Sequence, residues 1–109
     1  MKKNRILSMI GLAVRAGKVV SGEFMTEKAV KSMMASLVIV ADDASDNTKK
    51  QFSNMCEFYE VPLFFYSNRF DIGAAIGKEH RVSLAITDEG FSNAITKLFE
   101  TEQGIMTEE

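Results

Sequence analysis

The order of apolar patterns along the chain predicts an α/β fold, a sheet with helices on both faces. Three observations carry this. Stretches with helical apolar spacing alternate with short strand-length apolar runs, and no repeat or low-complexity linker interrupts them. Leu37, Val38, Ile39, Val40 and Ala41 form a continuous apolar run, the pattern of a strand buried on both faces. The 109 residues suffice for one hydrophobic core and are too few for a second domain.

Taken in order, the first helix is expected from about Asn4 to Arg15, with Ile6, Met9, Ile10 and Ala13 inward and Gly17 closing it. Lys18, Val19 and Val20 make a short strand. A second helix follows over 23–34. At 3.6 residues per turn, Met25, Thr26, Ala29, Val30 and Met33 share one side, and Phe24 falls opposite, in line with Lys28 and Lys31. Phe24 then faces solvent; a helix starting later would instead tuck it under a loop as a staple residue. After the 37–41 strand, Asp42 to Ser45 make a turn, and Ser45 or Asp46 caps a third helix to about Tyr59. Phe52, Met55, Cys56 and Tyr59 line its inner face.

Pro62 closes that connection and Leu63 to Tyr66 form a strand. Ser67 caps a short helix through Ile76 that ends at Gly77, and Lys78 to Arg81 form a charged loop. Val82, Leu84 and Ile86 alternate with Ser83, Ala85 and Thr87 in the last strand. Phe91, Ala94, Ile95, Leu98 and Phe99 give the final helix its apolar face. The domain is thus expected over 1–101, with an acidic, frayed tail at 102–109.

Composition narrows the chemistry. Cys56 is the only cysteine and His80 the only histidine, so neither a disulfide framework nor a Cys/His metal site is expected. No cofactor is implied. No apolar run approaches the roughly 20 residues of a membrane span, and no cleavage site follows Ile6 to Val14, so a cytoplasmic protein is expected. The net charge of −2 hides an asymmetry, because residues 1–31 hold seven basic and two acidic residues while the remainder holds six and thirteen. A small basic face on an acidic body suits recognition of one nucleic-acid site better than coating of a duplex.

Ser21 to Lys31 carries the strongest functional signal. An exposed aromatic beside lysines, at a helix start preceded by Ser21 and Gly22, can receive a phosphate backbone and stack an unpaired base. Lys78, His80 and Arg81 can pair with phosphates or lay a guanidinium over a flipped base. Asp42 and Asp43 end a buried strand, where doubly wound enzymes hold Mg²⁺ or accept a phosphoryl group. They serve more simply to start the turn. Gly73 and Gly77 do not form a nucleotide-binding loop and read as a close-packing position and a helix end.

With these residues laid out, the chain resembles a bacterial member of the ribosomal protein L7Ae/L30e family of kink-turn RNA-binding proteins. The match covers about Ile6 to Ile95. It rests on GLAVRAGKVVSG at 11–22, LVIVADDAS at 37–45, EVPLFFYSNRFDIGAAIGKEHRV at 60–82 and LAITDEGF at 84–91. The resemblance implies a three-layer α/β/α sandwich around a mixed four-stranded sheet. It also implies a non-enzymatic protein that binds structured RNA, ribosomal RNA among the candidates.

In that family the start of the second helix enters a widened major groove beside sheared G·A pairs. The positions map here to Gly22, Glu23, Phe24, Met25, Thr26, Glu27 and Lys28. Gly22, Thr26 and Lys28 agree with the family pattern. Phe24 and Met25 replace hydrogen-bonding residues at the base-contacting positions, which implies relaxed or altered specificity. The resemblance thus assigns RNA contact to Gly22, Glu23, Phe24, Met25 and Lys28, with a second loop of Lys78, His80, Arg81 and Val82, and the helical spacing adds Lys31 on the Phe24 face. A protein partner at Phe24 and Met25 is the alternative.

Overall fold

Asn4 stands in extended backbone and its side-chain oxygen accepts the Leu7 N–H at 2.9 Å, so the first helix, α1 (Arg5–Arg15), starts directly after its cap. It ends as a glycine permits. Gly17 lies at φ 74°, and the N–H groups of Gly17 and Lys18 return to the carbonyls of Val14 and Ala13. The computed structural model describes residues 4–108, with side chains described for 4–101. The elements that follow are β1 (Val19–Ser21), α2 (Glu23–Lys31), β2 (Leu37–Val40), α3 (Asp46–Tyr59), β3 (Leu63–Phe65), α4 (Arg69–Ala75), β4 (Ser83–Ile86) and α5 (Glu89–Glu108). α5 thus continues through most of the tail expected to be frayed at 102–109, whose side chains lie outside the described residues.

The sheet order is β1-β4-β2-β3, with β2 and β3 parallel and the other two pairings antiparallel. Helices cover both faces. Ile6, Ile10, Ile72, Ile95 and Phe99 from α1, α4 and α5, with Ile76 at the end of α4, bury Leu37, Ile39, Leu84 and Ile86 on one side. Ala29, Val30, Phe52 and Cys56 from α2 and α3 bury Val38, Val40 and Ala85 on the other. Side chains alternate across a strand, so β2 and β4 need apolar or small residues at every position. This is the three-layer sandwich around a mixed four-stranded sheet that the resemblance implied. In β4 the alternation of Ser83 and Ala85 with Leu84 and Ile86 marks small against large residues, all of them buried.

Two expectations for local structure change. The second helix stops at Lys31, because Met33 turns to φ 66° and the N–H groups of Met33 and Met34 fold back onto Val30 and Ala29. Met33 is consequently 72% exposed rather than inward. Asn68, not Ser67, caps α4: its Oδ1 accepts the Phe70 and Asp71 N–H groups, while Ser67 turns to φ 61° and its carbonyl accepts the Asp42 N–H.

The register places one edge of the sheet under the functional residues. Ser21 pairs with Leu84, and Val40 pairs with both Ser83 and Phe65. The carboxyl ends of β1, β2 and β3 therefore meet the amino end of β4. The starts of α2, α3 and α4 and the loop 78–82 all emerge at this edge.

Candidate nucleic-acid interface

Gly22 shapes the first part of the site. Its backbone lies at φ 93°, ψ 155°, a conformation closed to side-chain-bearing residues, and its N–H donates to the Ser83 carbonyl at 2.9 Å. No side chain caps α2 at this position. The first N–H groups of the helix thus keep donors for a ligand, reinforced by the positive end of the helix dipole. One step into the helix, Thr26 is fully buried and its Oγ1 accepts the Ser83 hydroxyl at 3.3 Å, which ties α2 to β4.

Phe24 is 74% exposed, as the helical spacing predicts, and α2 begins at Glu23, so it is not a staple residue. Met25, expected inward, is 42% exposed beside it. The two form one apolar step at the start of the helix. A shallow groove lined by Phe24, Glu27, Lys28, Lys31 and Ser32 continues from there along α2. Lys31 is held within it by Glu27, whose carboxylate lies 2.6 Å from Nζ. The hydrogen bond to Glu27, with its charge, raises the Lys31 pKa above the ordinary value. Lys31 is therefore a charged but engaged group.

The loop 78–82 closes the other side. Arg81 reaches from it to β1, donating from Nε to Ser21 Oγ at 3.2 Å and from its guanidinium to the His80 carbonyl at 2.7 Å. Its own N–H donates to the Arg69 carbonyl at 3.0 Å, and the Val82 carbonyl accepts the Ala41 N–H at 2.7 Å. The loop is thus fixed to β1, to α4 and to the end of β2. Val82 is half-buried against the α2–α3 core and anchors the loop, whereas Lys78 and His80 are exposed. The fold brings Gly22, Glu23, Phe24, Met25 and the loop 78–82 to one end of the sheet, in two parts joined through Arg81 and Ser21, while Lys28 lies further along α2 and Lys31 at the far end of that helix.

Residues other than the ten expected contacts position these parts. Ser21 receives Arg81. Gly73 is required for the loop to lie on α4, because a Cβ there would stand 2.6 Å from His80 Cα; the close packing expected at this glycine is present. Arg69 fastens the start of α4 to Asp43: its N–H and Nε bond the carboxylate at 3.1 and 3.2 Å, and its guanidinium also donates to the Asp43 carbonyl at 2.8 Å. Asp43 is therefore a structural clamp, and Asp42 lies 3.7 Å from Lys49. Among the described residues no group of three or more His, Cys, Asp or Glu could hold a metal. Cys56 is buried under α3, and burial pushes its thiol up to about 11, which keeps it neutral. Among the described residues no helix is long and apolar enough to cross a membrane.

Comparison with known proteins agrees with this architecture. The sequence profile of the ribosomal protein L7Ae/L30e/S12e/Gadd45 family matches residues 4–96. The chain is 44% identical over 92 residues to RNA-binding protein YlxQ of Bacillus subtilis (strain 168), covering 84% of this chain and 92% of that one. It is 35% identical over 99 residues to large ribosomal subunit protein eL30 of Spodoptera frugiperda, covering 89% of this chain and 88% of the relative. A solved structure of a protein with unknown function from Bacillus halodurans C superposes with a TM-score of 0.87 at 38% identity, over 90% of this chain and 99% of that one. The Giardia lamblia 15.5kD RNA binding protein, at 19% identity and a TM-score of 0.76, shares the fold over 95% of this chain and 92% of its own. With the profile spanning most of the sheet and helices described above, the chain belongs to the ribosomal protein L7Ae/L30e/S12e/Gadd45 family, whose members named here are RNA-binding and ribosomal proteins rather than enzymes.

Proposed function

We propose that this chain binds structured RNA of the kink-turn type through the start of α2 and the loop 78–82. The observation that carries the reading is their juxtaposition: an uncapped helix start bearing an exposed Phe24 lies beside a basic loop held to it by Arg81 and Ser21. Gly22 lets the RNA approach the backbone and Glu23 contributes a helix-start N–H. Phe24 and Met25 offer an apolar step for a base, and Lys28 meets phosphate or a guanine edge. Lys31 contributes charge while held by Glu27. Lys78, His80 and Arg81 close over an unpaired nucleotide, and Val82 holds their loop in place. The names of the relatives support ribosomal RNA as the first RNA to try, and a cytoplasmic location goes with that reading.

The test compares a kink-turn RNA with the same RNA after its sheared G·A pairs are converted to Watson–Crick pairs, each at low and high salt. Tighter binding to the first is expected, by a smaller margin than paired base-edge hydrogen bonds would give, because Phe24 and Met25 lack the donors for them. Equal affinity for both would retire kink-turn recognition and leave a salt-driven RNA binder. No binding to either would favour a second reading, a protein partner docked on Phe24 and Met25. The exposure of these adjacent apolar residues supports that reading, and a salt-resistant protein complex free of RNA is its signature.

A further inference from the structure

The end of the sheet opposite the proposed RNA site holds a cleft of its own. It forms where β2 and β3 begin and β4 ends, with Met33 ahead of β2, Glu60, Val61 and Pro62 ahead of β3, and Glu89 and Ser92 after β4. The cleft is open to solvent and has a volume of about 430 Å³. Glu60 and Glu89 are exposed along it, and among the described residues neither carboxylate has an ion-pair partner. Helices α2 and α3 both end here, and their negative dipole ends reinforce that charge. The positive start of α5 is offset by Asp88, whose carboxylate accepts the Phe91 N–H at 2.9 Å.

A second observation at the same place is independent of the charge. Ser92 lines the cleft and is 4% exposed, with its N–H bonded to the Asp88 carbonyl at 3.0 Å. Its Oγ has no hydrogen-bond partner among the described residues. A buried hydroxyl in that state costs free energy that a ligand reaching it restores. Met33, Val61 and Pro62 complete the lining with apolar surface, and Met34, the chain neighbour of Met33, is exposed as well.

A ligand that satisfies all of this carries positive charge for the carboxylates, N–H donors for the hydroxyl oxygen and a methylene stem for the apolar wall. A divalent metal supplies only the charge, and among the described residues no third acidic, His or Cys group joins the pair to hold one. A guanidinium has five N–H donors, is weakly hydrated and sits on a stem that packs against apolar side chains. The exposed Met33 and Met34 extend the apolar surface beyond what one such side chain covers, which favours an arginine carried by a longer segment. We propose that this cleft receives an arginine side chain from a basic segment of a partner protein. The site is independent of the RNA reading, and its charge keeps phosphate away from this end of the molecule.

The experiment titrates capped peptides of glycine and leucine around one central residue into the isotope-labelled full chain and follows amide chemical shifts. The central residue is arginine in one peptide and citrulline, its uncharged isostere, in the other; spermidine is the third probe. The arginine peptide should give saturable shifts at Val61 and Ser92 and none at Phe24 or Arg81, and the citrulline peptide should bind about tenfold more weakly. Glu60→Gln combined with Glu89→Gln should weaken the arginine peptide about tenfold, and Ser92→Ala about threefold. Ser92→Ala removes an unpartnered hydroxyl, so its denaturation midpoint should not fall, which separates a lost contact from a lost fold. No shifts at the cleft, equal binding of the citrulline peptide, or an affinity unmoved by the paired glutamate changes would each overturn the proposal. Spermidine binding at the same amides as tightly as the arginine peptide would also overturn it and assign the cleft to polyamines.

Discussion

Phe24 separates binding from stability at the level of single residues. Three-quarters of its surface is in water, so Phe24→Ala should move the unfolding free energy by no more than about 0.5 kcal/mol. The same change should weaken RNA binding by about 1–3 kcal/mol if a base stacks there. Denaturant titration beside a binding isotherm checks both halves, and an unchanged isotherm would remove Phe24 from the interface. Cys56 is the opposite case. Its thiol is pushed from 9.0 to about 11 by burial, so the native state keeps its proton where the unfolded chain has lost it. The unfolded state then binds fewer protons, and Cys56 lowers stability as pH rises from 9 to 11, with no effect below. Cys56→Ala should remove that part of the alkaline slope, and the native parent at pH 7 should resist thiol reagents that label it once unfolded. Both side chains were legible in the sequence, since helical spacing alone puts Phe24 out and Cys56 in. Arg81 was legible as a basic loop residue, but not its bond to Ser21, which joins residues 60 apart in the chain and depends on the β1–β4 pairing.

At the scale of elements, four helices end by one device: a residue with positive φ whose own N–H, with that of the next residue, folds back onto the last turn. Gly17 and Gly77 serve α1 and α4, and Met33 and Glu60 serve α2 and α3. The glycine ends were readable. The end of α3 at Tyr59 was readable too, ahead of Pro62, but the left-handed turns at 33 and 60 were not, because neither Met nor Glu advertises such a backbone, which is why the α2 pattern ran on to Met34. Glu60 is exposed and bears the left-handed cost of about 1–2 kcal/mol. Glu60→Gly should therefore raise stability by about 0.5–1 kcal/mol, once the greater freedom of glycine in the unfolded chain is subtracted. Glu60→Ala, equally strained, should give no such gain in the same denaturation assay. Gly73 gives the converse prediction. A methyl group there meets the backbone of His80, not a flexible side chain, so Gly73→Ala must push the loop 78–82 off α4 or distort the helix. A loss of about 1–3 kcal/mol in stability is expected from such overpacking. The RNA affinity should fall with it, even though Gly73 itself touches no ligand. Retention of both by Gly73→Ala would show that the loop is free to move and is not a fixed wall of the site.

For the whole molecule, the fold class and both helical layers followed from the alternation of patterns. The sheet order did not, because nothing in the local sequence says that the last strand inserts between the first and the second. That insertion is what turns scattered basic residues into one site. With β4 at the edge of the sheet, the loop 78–82 would not lie against the start of α2. The resulting contact surface is small, and the chain around it is acidic, with a net charge of −2 overall. Its salt dependence should follow from that. With Lys31 engaged by Glu27, the cations nearest the proposed ligand are Lys28, Lys78 and Arg81. Each phosphate contact contributes about −0.7 to −0.9 to the slope of log K against log salt, so a parent slope of about −2 to −3 is expected. Lys28→Ala should flatten it by about one contact, with a similar loss of affinity for every RNA that still binds. A slope near −6 would mean that the RNA spreads over many more cations than this edge presents, and the compact two-part site would have to be abandoned. A slope near zero with affinity retained would instead assign the binding energy to Phe24, Met25 and their apolar contacts.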